Sequence, residues 1–160
     1  MAKEQQELKP VPVRRRSAAR VAAIQITYQA MMSGKSAGEF APEFLSHYAA
    51  DVIKSFRVKD LDQTHFNALY TGMEANDSDL DDEIAGCLVS GWTLDRLTVI
   101  DRAVLRAGAY ELHHMPHIPA RAAISEYASL SDACGCDVKF VNAVLDRVAR
   151  TTRKVEMGTA

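Results

Sequence analysis

Apolar residues recur along the chain at helical spacing, in segments separated by glycine, proline or short polar stretches. In residues 14–33, for example, Val21, Ile24 and Tyr28 share one helical face, and Gly34 follows as a stop signal. The same spacing predicts six further helices, over residues 41–56, 61–75, 78–90, 92–115, 120–133 and 137–150. About seven helices without a convincing strand predict an all-α domain.

The segment from Trp92 to Met115 is the one around which we expect the fold to be organised. Most of its helical surface would be apolar, so other helices should surround it. Thr93 is the predicted N-cap, and Pro116 ends the helix. Gly108 carries no side chain, which predicts the close approach of a neighbouring helix and a loss of stability on substitution by leucine.

The two ends of the chain lack this periodicity. Residues 1–13 are polar and contain two prolines, which predicts a disordered tail. We assign residues 14–154 to a single helical domain and residues 155–160 to a second disordered tail.

Composition narrows the class of protein. A chain of 160 residues with 48% hydrophobic content is typical of one globular domain with a sizeable core. It has no apolar run of membrane-spanning length and no apolar signal segment near its start. Its three cysteines are too few for a disulfide framework, so we expect a cytoplasmic protein without a membrane association.

The charge is unevenly distributed, although the net charge is only −2. Residues 1–36 contain seven basic and two acidic side chains, whereas residues 39–83 contain three basic and eleven acidic ones. Residues 137–154 are again basic, with five cations and two anions. Basic ends around an acidic middle favour two surfaces with different partners, although solvated helix faces would give the same pattern.

Four arginines crowd the opening of the first predicted helix: Arg14, Arg15, Arg16 and Arg20. The N-terminal end of a helix favours negative charge, so this arrangement opposes helix stability unless an external anion relieves it. Guanidinium groups together with free backbone N–H groups form a good phosphate site. A soluble, frayed helix start explains the same residues equally well.

The last predicted helix places an aromatic ring at the margin of its apolar face. Phe140 lies about 100° from the centre of that face, with Arg147 almost directly above it and Lys139 beside it. A half-exposed ring next to cations can stack on a nucleobase while the cations contact phosphates. The alternative is a phenylalanine at the edge of the core, partly covered by the arginine stem.

The sequence offers little for catalysis or metal binding. It has no glycine-rich phosphate loop, no dinucleotide fingerprint and no nucleophile with a recognisable base motif. The cysteine and histidine runs do not supply four well-spaced metal ligands. We therefore expect neither an enzyme nor a protein with a cofactor or metal.

Four stretches of the chain together resemble one protein family. They read RRRSAARVAAIQITYQ, WTLDRLTVIDRAVLRAGAYEL, IPARAAISEYASL and KFVNAVLDRVAR, and they extend from about Arg14 to Arg150. In this order and spacing they are similar to the NusB family of bacterial transcription antitermination factors. The chain departs from the family pattern at Ala143, where relatives usually have glycine, and in the last loop at Asp132 and Cys134.

The resemblance implies an all-α fold of two packed helical halves, without catalytic activity or a cofactor. It implies binding to single-stranded boxA-like RNA of ribosomal transcripts together with NusE, a small-subunit ribosomal protein, within an RNA polymerase antitermination complex. It implies RNA contacts at Arg14, Arg15, Arg16 and Arg20, and at Phe140 with Lys139.

Three functions remain open at this stage. The first is an RNA-binding antitermination factor. The second is a helical adaptor or homodimer that binds only protein, and the third is a recognition domain of the kind fused to ribosomal RNA methyltransferases. No cofactor loop is found within the 160 residues, which counts against the third.

Overall fold

A computed structural model describes residues 8–159, and this part of the chain is helical without a strand. The helices are α1 (Val11–Ser33), α2 (Ala37–His47), α3 (Ala49–Ser55), α4 (Gln63–Ala75), α5 (Asp77–Gly86), α6 (Val99–His114), α7 (Ala120–Ala133), α8 (Val138–Thr152) and α9 (Lys154–Met157). The all-α fold class is thus confirmed. The predicted helix over 41–56 is divided into α2 and α3 at Tyr48.

The helices pack in two groups, as predicted. Helices α1 to α4 form the first group, in which α1 contacts each of the other three and packs most extensively on α4. Helices α6, α7 and α8 form the second group, against which α5 and α9 also pack. Helix α6 joins the groups, because it contacts α1 and α4 on one hand and α7 and α8 on the other.

The central helix begins later than the sequence predicts, so the assignment of Thr93 as its N-cap is wrong. The hydroxyl of Thr98 accepts a hydrogen bond from the Asp101 N–H at 3.2 Å, and the Asp101 carboxylate accepts one from the Thr98 N–H at 3.4 Å. This reciprocal cap satisfies two free backbone donors at once. The Thr93 hydroxyl instead donates to Asp95 at 2.6 Å, in a connector with a short 3-10 helix at Leu94–Arg96.

Helix α6 is surrounded as expected, and its glycine marks a close contact with α8. A Cβ atom placed on Gly108 would lie 2.6 Å from Leu145 Cδ1 and 2.8 Å from Leu145 Cδ2. Real Cβ atoms do not approach other atoms this closely, so the packing depends on the absence of a side chain there.

The structure differs from the predicted tails at both ends. Helix α1 starts at Val11, because Pro10 and Pro12 occupy its cap and first turn, where proline is tolerated. Part of the predicted C-terminal tail forms α9 at Lys154–Met157. Residues 1–7 of the first tail and residue 160 of the second lie outside the described residues.

Candidate nucleic-acid interface

The first three arginines of the predicted site lie on the second turn of α1, not at its opening. Because the helix begins at Val11, the Arg14 N–H donates within the helix, to the Pro10 carbonyl at 3.1 Å. The predicted combination of arginine side chains with their own free backbone N–H groups is therefore wrong. Any anion bound here would be held by side chains.

Arg14 ties the start of α1 to the connector between α3 and α4. Its Nη1 donates to the carbonyl oxygens of Phe56 at 3.1 Å and Arg57 at 2.7 Å. Its Nε donates to the Lys9 carbonyl at 2.7 Å. These bonds fix one guanidinium at the surface and bring the connector against the arginine-rich turn.

Arg15 and Arg16 are both partly exposed and have different surroundings. Arg15 Nε lies 3.0 Å from Asp60 Oδ1, in an ion pair whose arginine side chain is 39% exposed. Exposed pairs of this kind contribute little stability, so a phosphate can compete for the guanidinium. Arg16 has no ion pair or side-chain hydrogen bond with any other residue in 8–159.

The connector adds two cations that the sequence reasoning misses, Arg57 and Lys59, both exposed. We call Arg14, Arg15, Arg16, Arg57 and Lys59 the arginine cluster. The two additions follow α3 in a segment without periodicity, and their approach to α1 spans more than 40 positions in sequence. Only their basic character could have suggested them from the sequence.

Arg20 is not part of this surface, and its assignment to the RNA-binding residues is wrong. Its side chain is 2% exposed and points into the core with the face that also carries Ser17 and Ile24. Two of its nitrogens donate to Glu111, Nε to Oε2 at 2.7 Å and Nη2 to Oε1 at 2.8 Å. Nη1 donates to Glu126 at 3.1 Å, so the arginine serves as an internal counter-ion.

Glu111 is the centre of this buried polar network. His65 Nε2 lies 3.1 Å from its Oε2, and the hydroxyl of Tyr127 also donates to that oxygen. Burial by itself would raise the pKa of Glu111, but the hydrogen bonds from His65 and Arg20 outweigh it and hold the pKa at about 2. The carboxylate is consequently ionised in the folded protein, although its side chain has no exposed surface.

This network predicts a loss of stability in acid. The folded pKa of Glu111 is below its unfolded value of 4.5, so the stabilisation is present above 4.5 and is lost as the pH falls toward 2. Between those values the unfolding free energy should fall by up to about 1.4 kcal/mol per pH unit from this group. Urea titrations at several pH values check this.

The matched control for the acid prediction is Glu111→Gln, which has no group to titrate at this position. Its difference in unfolding free energy from the wild type should shrink steadily below pH 4.5, because protonation makes the two side chains alike. A difference that stays constant down to pH 2.5 would contradict the ionised state of Glu111.

The second predicted patch surrounds the start of α8. Phe140 is half-buried at the edge of the core, and its ring centroid lies 5.6 Å from that of Trp92. Lys139 is exposed beside it. Asp137 caps the helix, since its Oδ1 accepts a hydrogen bond from the Phe140 N–H at 3.1 Å. The ring is thus neither fully buried nor free of packing.

Arg147 is partly buried and anchored. Its Nη1 donates to the carbonyl of Cys87 at 2.7 Å and so ties α8 to the end of α5. The contact of Arg147 with an RNA phosphate stays a prediction. The guanidinium nitrogens other than Nη1 would make that contact.

The predicted residues therefore form two patches. The arginine cluster lies where α1 meets the α3–α4 connector, whereas Phe140 and Arg147 contact the chain between α5 and α6. Helices α1 and α8 both pack on α6, which links the patches. A ligand that uses both has to extend from one to the other.

Neither a metal site nor a membrane span occurs in the part of the chain that the structure describes. It has no group of three histidine, cysteine or carboxylate side chains placed to hold a metal ion. It also has no helix whose length and apolar character would allow it to cross a bilayer.

Known proteins with similar sequences place the chain in a family. A sequence profile of the NusB family matches residues 17–150. The transcription antitermination protein NusB of Rhodopseudomonas palustris strain BisB18 is 38% identical over 155 residues, with 92% of each chain covered. That of Nitrobacter hamburgensis is 38% identical over 144 residues, covering 89% of this chain and 90% of the relative.

Solved structures agree with the fold. T. maritima NusB superimposes with a TM-score of 0.64 at 26% identity, covering 95% of this chain and 99% of that one. A chain from the crystal structure of antitermination factors NusB and NusE in complex with double-stranded RNA gives a TM-score of 0.65 at 22% identity, covering 86% of this chain and 98% of that one. The profile match and the sequence identities, together with this fold, show that the chain belongs to the NusB family of transcription antitermination proteins.

Proposed function

We propose that this protein binds boxA-like single-stranded RNA of ribosomal transcripts and acts with NusE in an RNA polymerase antitermination complex in the cytoplasm. The observation that carries the proposal is the arginine cluster, in which the bonds of Arg14 to the connector backbone and the ion pair of Arg15 with Asp60 bring basic residues from two distant stretches of sequence close together. The NusB family is non-enzymatic, in agreement with the prediction that the chain catalyses no reaction. The role therefore consists of binding.

The two patches suit different parts of a single strand. Phosphates attract the arginine cluster, and release of their counter-ions makes such binding weaken with salt. Phe140 offers a partly exposed ring for base stacking, with exposed Lys139 beside it for a neighbouring phosphate. A strand that extends between the patches would use both, and NusE would add contacts of its own.

Charge reversal in the arginine cluster should weaken RNA binding. We expect Arg15→Glu and Arg16→Glu each to lower the affinity for a boxA RNA about tenfold or more at low salt, because each removes a cation and adds an anion. The plot of log affinity against log salt should also become shallower, by about 0.7 for each phosphate that the variant no longer neutralises. Fluorescence anisotropy of labelled RNA, with and without NusE, measures both quantities.

Phe140→Ala should weaken binding of the same RNA with little change in the salt dependence, because it removes a stacking surface and no charge.

Lys35→Glu is the matched control for the arginine variants. It makes the same charge reversal on an exposed side chain just beyond the C-terminal end of α1. If Arg15→Glu, Arg16→Glu and Phe140→Ala all bind RNA like the wild type, the proposal fails and the protein-only adaptor is favoured.

A further inference from the structure

Trp92 is the only tryptophan of the chain, and it lies at the surface. Its side chain is 44% exposed in the connector between α5 and α6. Tryptophan is enriched at interfaces, so a ring with this much surface in water is a candidate contact for a partner. Sequence reasoning places this residue directly before the predicted N-cap Thr93 and gives it no role.

The connector holds the ring in place. The backbone N–H of Trp92 donates to the Val89 carbonyl at 3.0 Å, and the Arg96 guanidinium donates to the carbonyl of Gly91. Gly91 has a φ of 91°, a conformation that favours glycine and turns the chain sharply before the ring. Trp92 therefore lies in a turn that is fixed by hydrogen bonds and that leaves its ring at the surface.

Two side chains flank the indole. The Phe140 ring is tilted 45° to it with the centroids 5.6 Å apart. The guanidinium carbon of Arg96 lies 5.2 Å from the centroid of the indole, in cation–π geometry. Trp92, Arg96 and Phe140 form a continuous group, which we call the indole platform.

We propose that the indole platform stacks on nucleobases of the bound single-stranded RNA, with Trp92 as its main stacking surface. The inference rests on the proposed function and adds a residue that the sequence reasoning does not select. Aromatic rings and arginine planes are the groups on which unpaired bases stack. Phe140 belongs to both the proposed RNA site and the platform, so one strand can reach Trp92 without leaving that site.

The local cations favour a phosphate-bearing strand over an apolar protein surface, and the aromatic rings add a surface for bases. Arg96 and Lys139 are exposed cations at this surface. Neither cation forms an ion pair within residues 8–159, and the carboxylates close to them in sequence, Asp95 and Asp137, accept hydrogen bonds from the Thr93 hydroxyl and the Phe140 N–H. The cations are therefore available for phosphates next to a stacked base.

Because Trp92 is the sole tryptophan, its emission reports on this platform alone. The full chain is titrated with a 12-nucleotide single-stranded boxA RNA, and tryptophan emission is recorded together with the anisotropy of the labelled RNA. We expect saturable quenching with the same midpoint as the anisotropy change. Binding by anisotropy with unchanged emission would overturn the inference while leaving the proposed function intact. Absence of RNA binding would overturn both.

Variants separate stacking from an indirect change in the connector. Trp92→Ala should weaken RNA binding about tenfold, whereas Trp92→Phe, which keeps an aromatic ring, should stay within about threefold of the wild type. The salt dependence should not change, because neither variant alters a cation that meets a phosphate. Tyr48→Ala is the control, since Tyr48 is an aromatic side chain that is 53% exposed on the first helical group.

Folding of Trp92→Ala is checked by its circular dichroism and thermal melt before binding is measured. If a folded Trp92→Ala protein binds RNA as the wild type does, the platform inference is wrong. Equal weakening by Tyr48→Ala would also contradict it, because the effect would then not depend on this surface.

Discussion

Replacing Arg20 by methionine is expected to lower the free energy of unfolding by about 3–5 kcal/mol, because it leaves the charge of Glu111 buried without its main counter-ion. The Arg20 guanidinium supplies two hydrogen bonds to that carboxylate, at 2.7 and 2.8 Å. Glu111 has no exposed surface, so water cannot replace them. A loss of this size is a large fraction of the roughly 5–15 kcal/mol that stabilises a typical domain.

Urea unfolding followed by circular dichroism at pH 7 measures this loss. Arg16→Met is the control, because it removes the same type of side chain from the same helix at a position that forms no ion pair within residues 8–159, and it should change the stability by less than about 0.5 kcal/mol. The double variant Arg20→Met with Glu111→Leu should recover part of the loss, because no buried charge is then left unpaired. If Arg20→Met is as stable as the wild type, the network contributes nothing.

Helical periodicity accounts for most of the fold. It predicts the element type and, to within a few residues, the extent of α4, α7 and α8, because each has an apolar stripe ended by glycine, proline or a capping aspartate. Periodicity puts the start of α6 at Thr93 because the sequence offers two threonine–aspartate pairs that could cap this helix, Thr93 with Asp95 and Thr98 with Asp101. Only Thr98 and Asp101 have the three-residue spacing that lets each side chain bond to the other's backbone.

At the candidate site, sequence reasoning assigns Arg20 incorrectly and does not select Trp92. Arg20 resembles Arg14, Arg15 and Arg16 in the sequence, because all four are basic and close together. Its partner Glu111 lies 91 positions away, so nothing local distinguishes a buried counter-ion from a surface cation. Sequence reasoning misses Trp92 for a related reason, since its neighbour Phe140 lies far along the chain, in α8.

Helix α6 carries two features on which both helical groups depend. Glu111 binds Arg20 of α1 and His65 of α4, whereas Gly108, three residues earlier, allows α8 to approach. The residues are less than one turn apart on a helix. The polar network therefore joins the first helical group to α6 and, through Glu126 and Tyr127, to α7. The contact between α6 and α8 depends instead on close packing at Gly108, so substitutions at Arg20 and Gly108 test the two features separately.

Replacing Gly108 by leucine is expected to destabilise the protein by about 3 kcal/mol or more, or to prevent folding, because the new side chain would overlap Leu145. Even a Cβ atom at this position would lie within 2.6 Å of Leu145 Cδ1, and Leu145 is itself fully buried. Gly108→Ala should be much milder, since the helical propensity gained, about 1 kcal/mol, offsets part of the contact. Urea unfolding of the wild type, Gly108→Ala and Gly108→Leu measures the three free energies of unfolding.

Gly86→Leu is the matched control for the Gly108 series, because no atom lies within 4 Å of a Cβ built there and the residue is exposed at the end of α5. It should leave the stability nearly unchanged. Leu145→Ala costs about 2–5 kcal/mol alone, but in the Gly108→Leu background it should restore stability by making room. Additive losses in the double variant, or an unchanged melting temperature of Gly108→Leu, would show that α6 and α8 do not depend on this contact.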